Sequence, residues 1–166
     1  MRILGIDPGT AILGYGVLDY QGNQFKLVDY GCIRTAAGTP LPERLHIIYQ
    51  ELDQIMKTYR PDTMAVEELF FCNNVTTAIS VGHARGVVLL LGKMYDLPLG
   101  EYTPLQIKQG VTGYGKAVKK QVQEMVKIIL SMKEIPRPDD AADALAVAIC
   151  HGHSSGLLGD IMRGEK

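Results

Sequence analysis

Four carboxylates stand at positions where a folded chain could use them for chemistry. Asp7 follows the apolar run Ile3 to Ile6 and precedes Pro8 and Gly9, so it sits at the carboxyl end of a short buried strand, the rim where open α/β sheets place ligands. Taken alone, such an aspartate could equally cap a turn. Glu67 ends a second apolar run, Met64 to Val66. Its neighbour Glu68 points to the other face because strand side chains alternate, so one of the two can share the face of Asp7. Asp140 and Asp143 open an Ala-rich helix and, three residues apart, share one face at roughly 5 to 6 Å between Cβ atoms. That pair would also suit a helix cap. Alanines at 141, 142, 144, 146 and 148 favour the other reading, because they let the helix lie close to the sheet and bring both carboxylates to the strand rim. Converging acids raise one another's pKa and are tolerated mainly where cations neutralise them. Oxygen donors of this kind suit Mg²⁺ or Mn²⁺, and two such ions can activate water and stabilise the leaving oxygen in phosphodiester hydrolysis.

Basic and aromatic residues lie near these acids in the chain. Between Lys108 and Lys133 there are six lysines against one acid, Glu124. Gly110, Gly113 and Gly115 stand among them, where backbone could approach a phosphate chain, so Lys108, Lys119 and Lys120 are candidates for phosphate contact. Phe70 and Phe71 follow Glu67 in the segment LFFCNN. One can fill the core, and the other, exposed beside the acids, suits stacking on an unpaired base. His151 lies eight residues beyond Asp143, roughly 12 Å along a helix, too far to share an ion. His151 and His153 are expected in the tail, and His83 is an ordinary helix residue.

The elements that must hold these groups can be read in outline. MRILGID is a central strand, and GYGVLDY and FKLVDYGCIRT form a hairpin about the Gly22-Asn23 turn. Apolar residues from Leu41 to Tyr59 recur at helical spacing until Pro61. TMAVEE is a fourth strand, Val75 to Tyr95 a long apolar helix, and LPLGEY a fifth strand. Helices are expected from about Val118 to Met132 and from near Asp140. The fold class is α/β, a five-stranded mixed sheet flanked by helices. One domain covers residues 1–154, with a flexible tail at 155–166.

Bulk properties exclude several classes. The chain has 166 residues, enough for one domain with its own core. With 17 basic and 18 acidic residues its net charge is −1, so whole-chain charge advertises neither nucleic acid nor membrane. Its longest aliphatic run, Val87 to Leu91, is far short of the roughly 20 residues that cross a bilayer. With no signal-peptide pattern at the N-terminus, the cytoplasm is the expected location. Cys32, Cys72 and Cys150 are odd in number and unpaired by spacing, which suits neither a disulfide framework nor a zinc site.

In their order and context, GIDPG at Gly5, RGV at Arg85 and DAADALA at Asp140 resemble the RuvC family of Holliday junction resolvases, within the ribonuclease H-like superfamily. The resemblance covers about nine tenths of the chain. It implies a ribonuclease H-like fold and the catalytic, metal-binding roles of Asp7, Glu67, Asp140 and Asp143; some relatives carry histidine at the position of Asp143. It further implies that Phe70 stacks in the opened crossover and that Lys108 and Lys119 lie near the scissile strand. Mg²⁺ is the expected cofactor, Mn²⁺ being possible, with two ions per site. The expected partners are four-way junction DNA, a second copy of the chain, and the branch-migration proteins RuvA and RuvB. Apolar residues on more than one face of the 75–95 helix are compatible with a homodimer. Three other classes share parts of this pattern. An actin-like or sugar-kinase ATPase would need a second copy of the opening strand and turn, a YqgF-type nuclease is typically shorter, and a non-catalytic junction-binding scaffold leaves four converging acids without a purpose.

Overall fold

The computed structural model describes residues 1–68 and 75–163. Among them the chain forms strands β1 (Arg2–Asp7), β2 (Ile12–Gln21), β3 (Gln24–Arg34), β4 (Thr63–Glu67) and β5 (Leu99–Tyr102). The helices are α1 (Leu41–Tyr59), α2 (Val75–Met94), α3 (Pro104–Thr112), α4 (Lys119–Ile129) and α5 (Asp139–Arg163). The sheet order is β3-β2-β1-β4-β5. β1, β2 and β3 are antiparallel neighbours, whereas β4 runs parallel to both β1 and β5. Short turns explain the first half: Gly22 and Asn23 both have positive φ, +56° and +61°, the geometry of a two-residue hairpin turn. Helical crossovers explain the parallel half. No helix among the described residues is long and apolar enough to cross a membrane.

Strand parity divides the residues between two cores. Leu4, Ile6, Leu13, Val17, Met64 and Val66 pack beneath α1 and α2 with Ile48, Leu52, Ala84 and Val88. Ile3, Leu18 and Ala65 face the opposite side and pack against α3, α4 and α5. Period-two alternation then assigns Gly5 and Asp7 to the α5 face with Ile3, and Glu67 to the same face with Ala65. Glu68, one residue on, belongs to the other side.

The central contact is between α5 and the strands beneath it. Gly5 and Gly16 are cross-strand partners. A Cβ on Gly5 would lie 2.3 Å from the Ala144 carbonyl oxygen, and one on Gly16 2.6 Å from Leu145 Cδ2. Ala141, Ala142, Ala144, Ala146 and Ala148 are all buried. The alanines were legible as permission for close approach, but half of that permission comes from glycines on the strands.

The structure also departs from expectation. The apolar periodicity of the sequence does not reveal α3, although Thr103-Pro104-Leu105-Gln106 holds a helix start. Thr103 Oγ1 accepts from the Gln106 amide at 3.2 Å, and Gln106 Oε1 accepts from the Thr103 amide at 2.8 Å. Gly110 is therefore inside a helix rather than in a phosphate-binding loop. A Cβ there would lie 2.9 Å from Cys150 Sγ, so its role is to seat α3 on α5. The α4 boundaries are tighter than the 118–132 expected, and α5 begins at Asp139 with a helical backbone that continues past Ser154 to Arg163.

Gly5→Ala is expected to destabilise the protein by roughly 1 to 3 kcal/mol, because the added methyl meets rigid backbone rather than a movable side chain. Urea unfolding of the two proteins is the check, and equal midpoints would show that α5 does not depend on this approach.

Candidate active site

The acids meet where β1, β4 and the first turn of α5 converge. Asp7 pairs in register with Gly14 on β2. A Cβ on Gly14 would sit 2.0 Å from the Asp140 carbonyl oxygen, so the first turn of α5 fills the space next to Asp7. Asp140 lies within that turn rather than capping it. One turn later, Asp143 faces Glu67 across a cavity of about 260 Å³, which is also lined by Lys108, Lys119, Pro104 and Val122.

The electrostatics record this convergence. Burial pushes Asp7 up to about 8, and the charges of Glu67, Asp143 and Asp140 add to the shift. Glu67 is pushed up to about 7, by burial first and then by Asp143, while Lys119 and Lys108 oppose the change. Asp143 is also raised, chiefly by burial, and Lys119 partly offsets the rise. Lys119 Nζ donates to Asp143 Oδ2 at 2.7 Å and lies 3.6 Å from Asp139 Oδ2. Burial disfavours its charge, but the two aspartates outweigh that cost and raise its pKa. Asp139, which also accepts from Arg137 Nη1 at 2.8 Å, is a member of this network that sequence spacing missed. The adjacent acid pair at 139 and 140 was its one visible signal.

The donor set consists of carboxylate oxygens, which suit Mg²⁺ or Mn²⁺. Among the described residues, no three His, Cys, Asp or Glu side chains are gathered tightly enough to form a finished metal shell. The acids are close enough to oppose one another's ionisation, and one of them is held by Lys119. A divalent cation would relieve both the burial of negative charge and the mutual repulsion, so the residues fit such an ion after side-chain adjustment.

Other candidates are placed as follows. Lys108 is beside Glu67, whereas Lys120 turns to a different cavity, lined by Tyr114 and Met125. Phe70 and Phe71 lie outside the described residues. His151 and His153 are not loose tail residues. His151 Nε2 lies 3.0 Å from Thr63 Oγ1, and Nδ1 lies 2.8 Å from the Tyr102 hydroxyl. Burial lowers the His151 pKa. Thr63 begins the strand that Glu67 ends, a separation of roughly 13 Å at the rise of a β-strand, so His151 is distant from the acids as expected. His153 Nδ1 lies 2.8 Å from the Gly110 carbonyl oxygen and its ring meets Phe25 edge-on. Cys32 lies opposite Gly14 on β3, and burial, with Asp140 and Asp7 nearby, raises its pKa.

A family model described as crossover junction endodeoxyribonuclease RuvC matches residues 3–151. The chain belongs to the RuvC family. A RuvC from Alkaliphilus oremlandii is 60% identical over 154 residues, covering 93% of this chain and 94% of that protein. One from Desulfitobacterium hafniense is 60% identical over 158 residues, covering 95% and 96%. The Thermus thermophilus RuvC structure superposes with a TM-score of 0.88 at 37% identity, covering 95% of this chain and 96% of that one. The same enzyme in complex with a Holliday junction substrate gives 0.87 at 35% identity over the same shares. A yeast mitochondrial Holliday junction resolvase, at TM-score 0.71 and 12% identity, shares the fold alone. RuvC membership makes the fold ribonuclease H-like and the activity that of a nuclease hydrolysing phosphodiester bonds.

The raised acids predict an unusual pH dependence without metal. Asp7 titrates near 8 when folded and near about 4 when unfolded. Over that interval the folded state binds a proton that the unfolded state has lost, so stability falls as pH rises from about 4 to 8 and levels off above it. Glu67 acts with the same sign. In EDTA, Asp7→Asn should unfold like wild type near pH 4 but be more stable by a few kcal/mol near pH 9. Urea titrations across this range are the measurement, and a gap that does not widen with pH would contradict the shift.

Proposed function

We infer that this protein is a structure-selective endodeoxyribonuclease that resolves four-way DNA junctions by paired, symmetric, metal-dependent nicks in homologous recombination and repair. The observation that carries the reading is the convergence of Asp7, Glu67, Asp140 and Asp143 at the strand ends, with Lys108 and Lys119 on the same cavity, in a chain of the RuvC family. Asp7, Glu67, Asp140 and Asp143 would hold two Mg²⁺ ions, or Mn²⁺ in their place. Bound there, such ions activate water and stabilise the leaving oxygen. The chain's own residues orient the phosphate through Lys108 and Lys119, exclude bulk water with Val122 and Ile107, and hold negative charge ready for cations. Phe70 would stack on a base unpaired at the crossover, and Lys120 would contact phosphate. The setting is the bacterial cytoplasm, with RuvA and RuvB as partners in branch migration. Residues 155–166 would serve as a tail outside the nuclease domain.

A homodimer is supported by the outward face of α2. Ala84, Val88 and Leu91 are buried against the sheet, whereas Ile79, Leu90 and Met94 are 56%, 58% and 58% exposed. His83 and Gly86 are exposed on the same stripe. A long apolar stripe of this kind suits a twofold mate.

The deciding experiment offers a labelled four-way junction and a matched linear duplex, with Mg²⁺ or with EDTA. Symmetric nicks confined to the junction and to Mg²⁺ are expected. Asp7→Asn, Glu67→Gln, Asp140→Asn and Asp143→Asn should each abolish nicking while junction affinity in EDTA is kept or increased, since every removed charge lessens repulsion of the phosphate backbone. Any of the four that cuts as wild type does loses its place in the site. Leu90→Glu should dissociate the dimer in sedimentation and leave single, unpaired nicks; an unaltered dimer would move the interface away from α2.

A further inference from the structure

Adjacent side chains at the start of α4 open onto different cavities. Lys119 lines the one that holds Glu67 and Asp143, while Lys120 lines a second, of about 530 Å³, walled by Thr112, Tyr114, Ala117, Val118 and Met125. Tyr114 and Val118 are 58% and 61% exposed. The Tyr114 backbone is nonetheless fixed. Gly113 before it adopts a left-handed φ of +73° that ends α3. The Tyr114 amide donates to Thr112 Oγ1 at 3.1 Å, and its carbonyl accepts from the Thr112 hydroxyl at 3.0 Å and from the Ala117 amide at 3.1 Å. An exposed aromatic on an ordered turn, beside a largely apolar hollow, can receive a planar ligand with little ordering cost.

The charges around the hollow identify that ligand. Lys116 shares the turn with Tyr114, and Lys120 lines the cavity. Glu124, the one lining acid among the described residues, is answered by Lys127 at 3.9 Å. A second copy of this chain would bring like charge to the same place, and an apolar protein segment would leave the lysines unanswered. A DNA strand supplies both partners, a base face for the apolar wall and phosphates for the lysines. It must also pass nearby, because the scissile phosphate has to reach the neighbouring cavity. The two cavities are lined by consecutive residues, Lys119 and Lys120, so a strand that reaches one passes close to the other.

We propose that the Tyr114 cavity is a second DNA subsite, in which Tyr114 stacks on a base flanking the cleaved position while Lys116 and Lys120 hold its phosphates. This rests on the junction-nuclease reading above. The subsite gives the scissile strand a second anchor, on the opposite side of Lys119 from the acids, and so fixes the register in which phosphate reaches them.

The test uses the full chain and junctions carrying 2-aminopurine, whose emission responds to stacking, at successive nucleotides on either side of the cleavage point. In EDTA, wild type and Tyr114→Phe should change the emission at one flanking position. Tyr114→Ala should lose that change and bind about tenfold more weakly with an unaltered salt dependence. Lys120→Ala should keep the emission change and lower the salt slope by about 1. Wild-type nicking of the same junctions in Mg²⁺ is run alongside. If wild type binds and nicks and Tyr114→Ala matches it in affinity and emission, the subsite is overturned alone. A Tyr114→Ala effect on sedimentation with unchanged DNA affinity would assign the cavity to protein and overturn it as well. Wild type that neither binds nor nicks would overturn the junction-nuclease reading and the subsite with it.

Discussion

The site depends on how closely one helix can approach one pair of strands. Gly5, Gly14 and Gly16 remove the side chains that would hold α5 away, and the alanines of α5 remove them from the other side. What remains is nearly backbone against backbone, a contact that tolerates little adjustment because neither surface has a rotamer to change. Two acids from β1 and β4 and two from α5 can then occupy one region despite being far apart in sequence. A helix seated on larger side chains would leave Asp140 and Asp143 as ordinary first-turn aspartates beside a helix dipole.

That proximity has an electrostatic consequence. Asp7 and Glu67 are half-buried among like charges, and their pKa values, pushed up to about 8 and about 7, reflect how poorly the unaided fold accommodates their ionised forms. Lys119 moderates the charge but cannot neutralise it, because one ammonium faces Asp143 and Asp139 together. Lys119 already holds Asp143 Oδ2 at 2.7 Å, so a cation held by that carboxylate would have the ammonium as a neighbour of like charge. The arrangement is thus costly as a structural feature, and that cost is understandable where the acids serve to recruit metal.

Much of this was legible in the sequence, and the limits have physical reasons. α1 was readable to its last residue because its apolar period, Pro61 and length all agree. Strand parity sends Glu67 and Glu68 to opposite faces, but which of them joins Asp7 depends on the register of β4 against β1, and the pairing of Gly5 with Ala65 assigns Glu67. α3 was hidden because Gly110 and Gly113 look like loop residues; one seats the helix on α5 and the other ends it. Spacing places the histidines at 151 and 153 in the tail, because the length of a helix depends on what packs beside it, which spacing cannot report. Here Thr63, Tyr102, Gly110 and Phe25 supply that packing. Lys119 and Lys120 were indistinguishable as neighbours in one basic run. Helical geometry turns consecutive side chains about 100° apart, which is enough to send them into separate cavities.

The acids and the exposed apolar stripe of α2 fall on opposite faces of the same sheet. β1 sends Leu4 and Ile6 to α1 and α2, and Ile3, Gly5 and Asp7 to α5. The exposed stripe of α2 lies on the first side, behind the sheet from the acids. A twofold mate seated there would cover neither cavity of the α3–α5 layer, and both copies would keep their acids and lysines open to DNA. Had the apolar stripe been on α4, whose N-cap Val118 is exposed and lines the cavity with Tyr114 and Lys120, an association through it would have buried the path of the substrate. The alternation of one short strand therefore fixes more than the face of a single aspartate: it separates the surface available to another copy of the protein from the surface that must receive a junction.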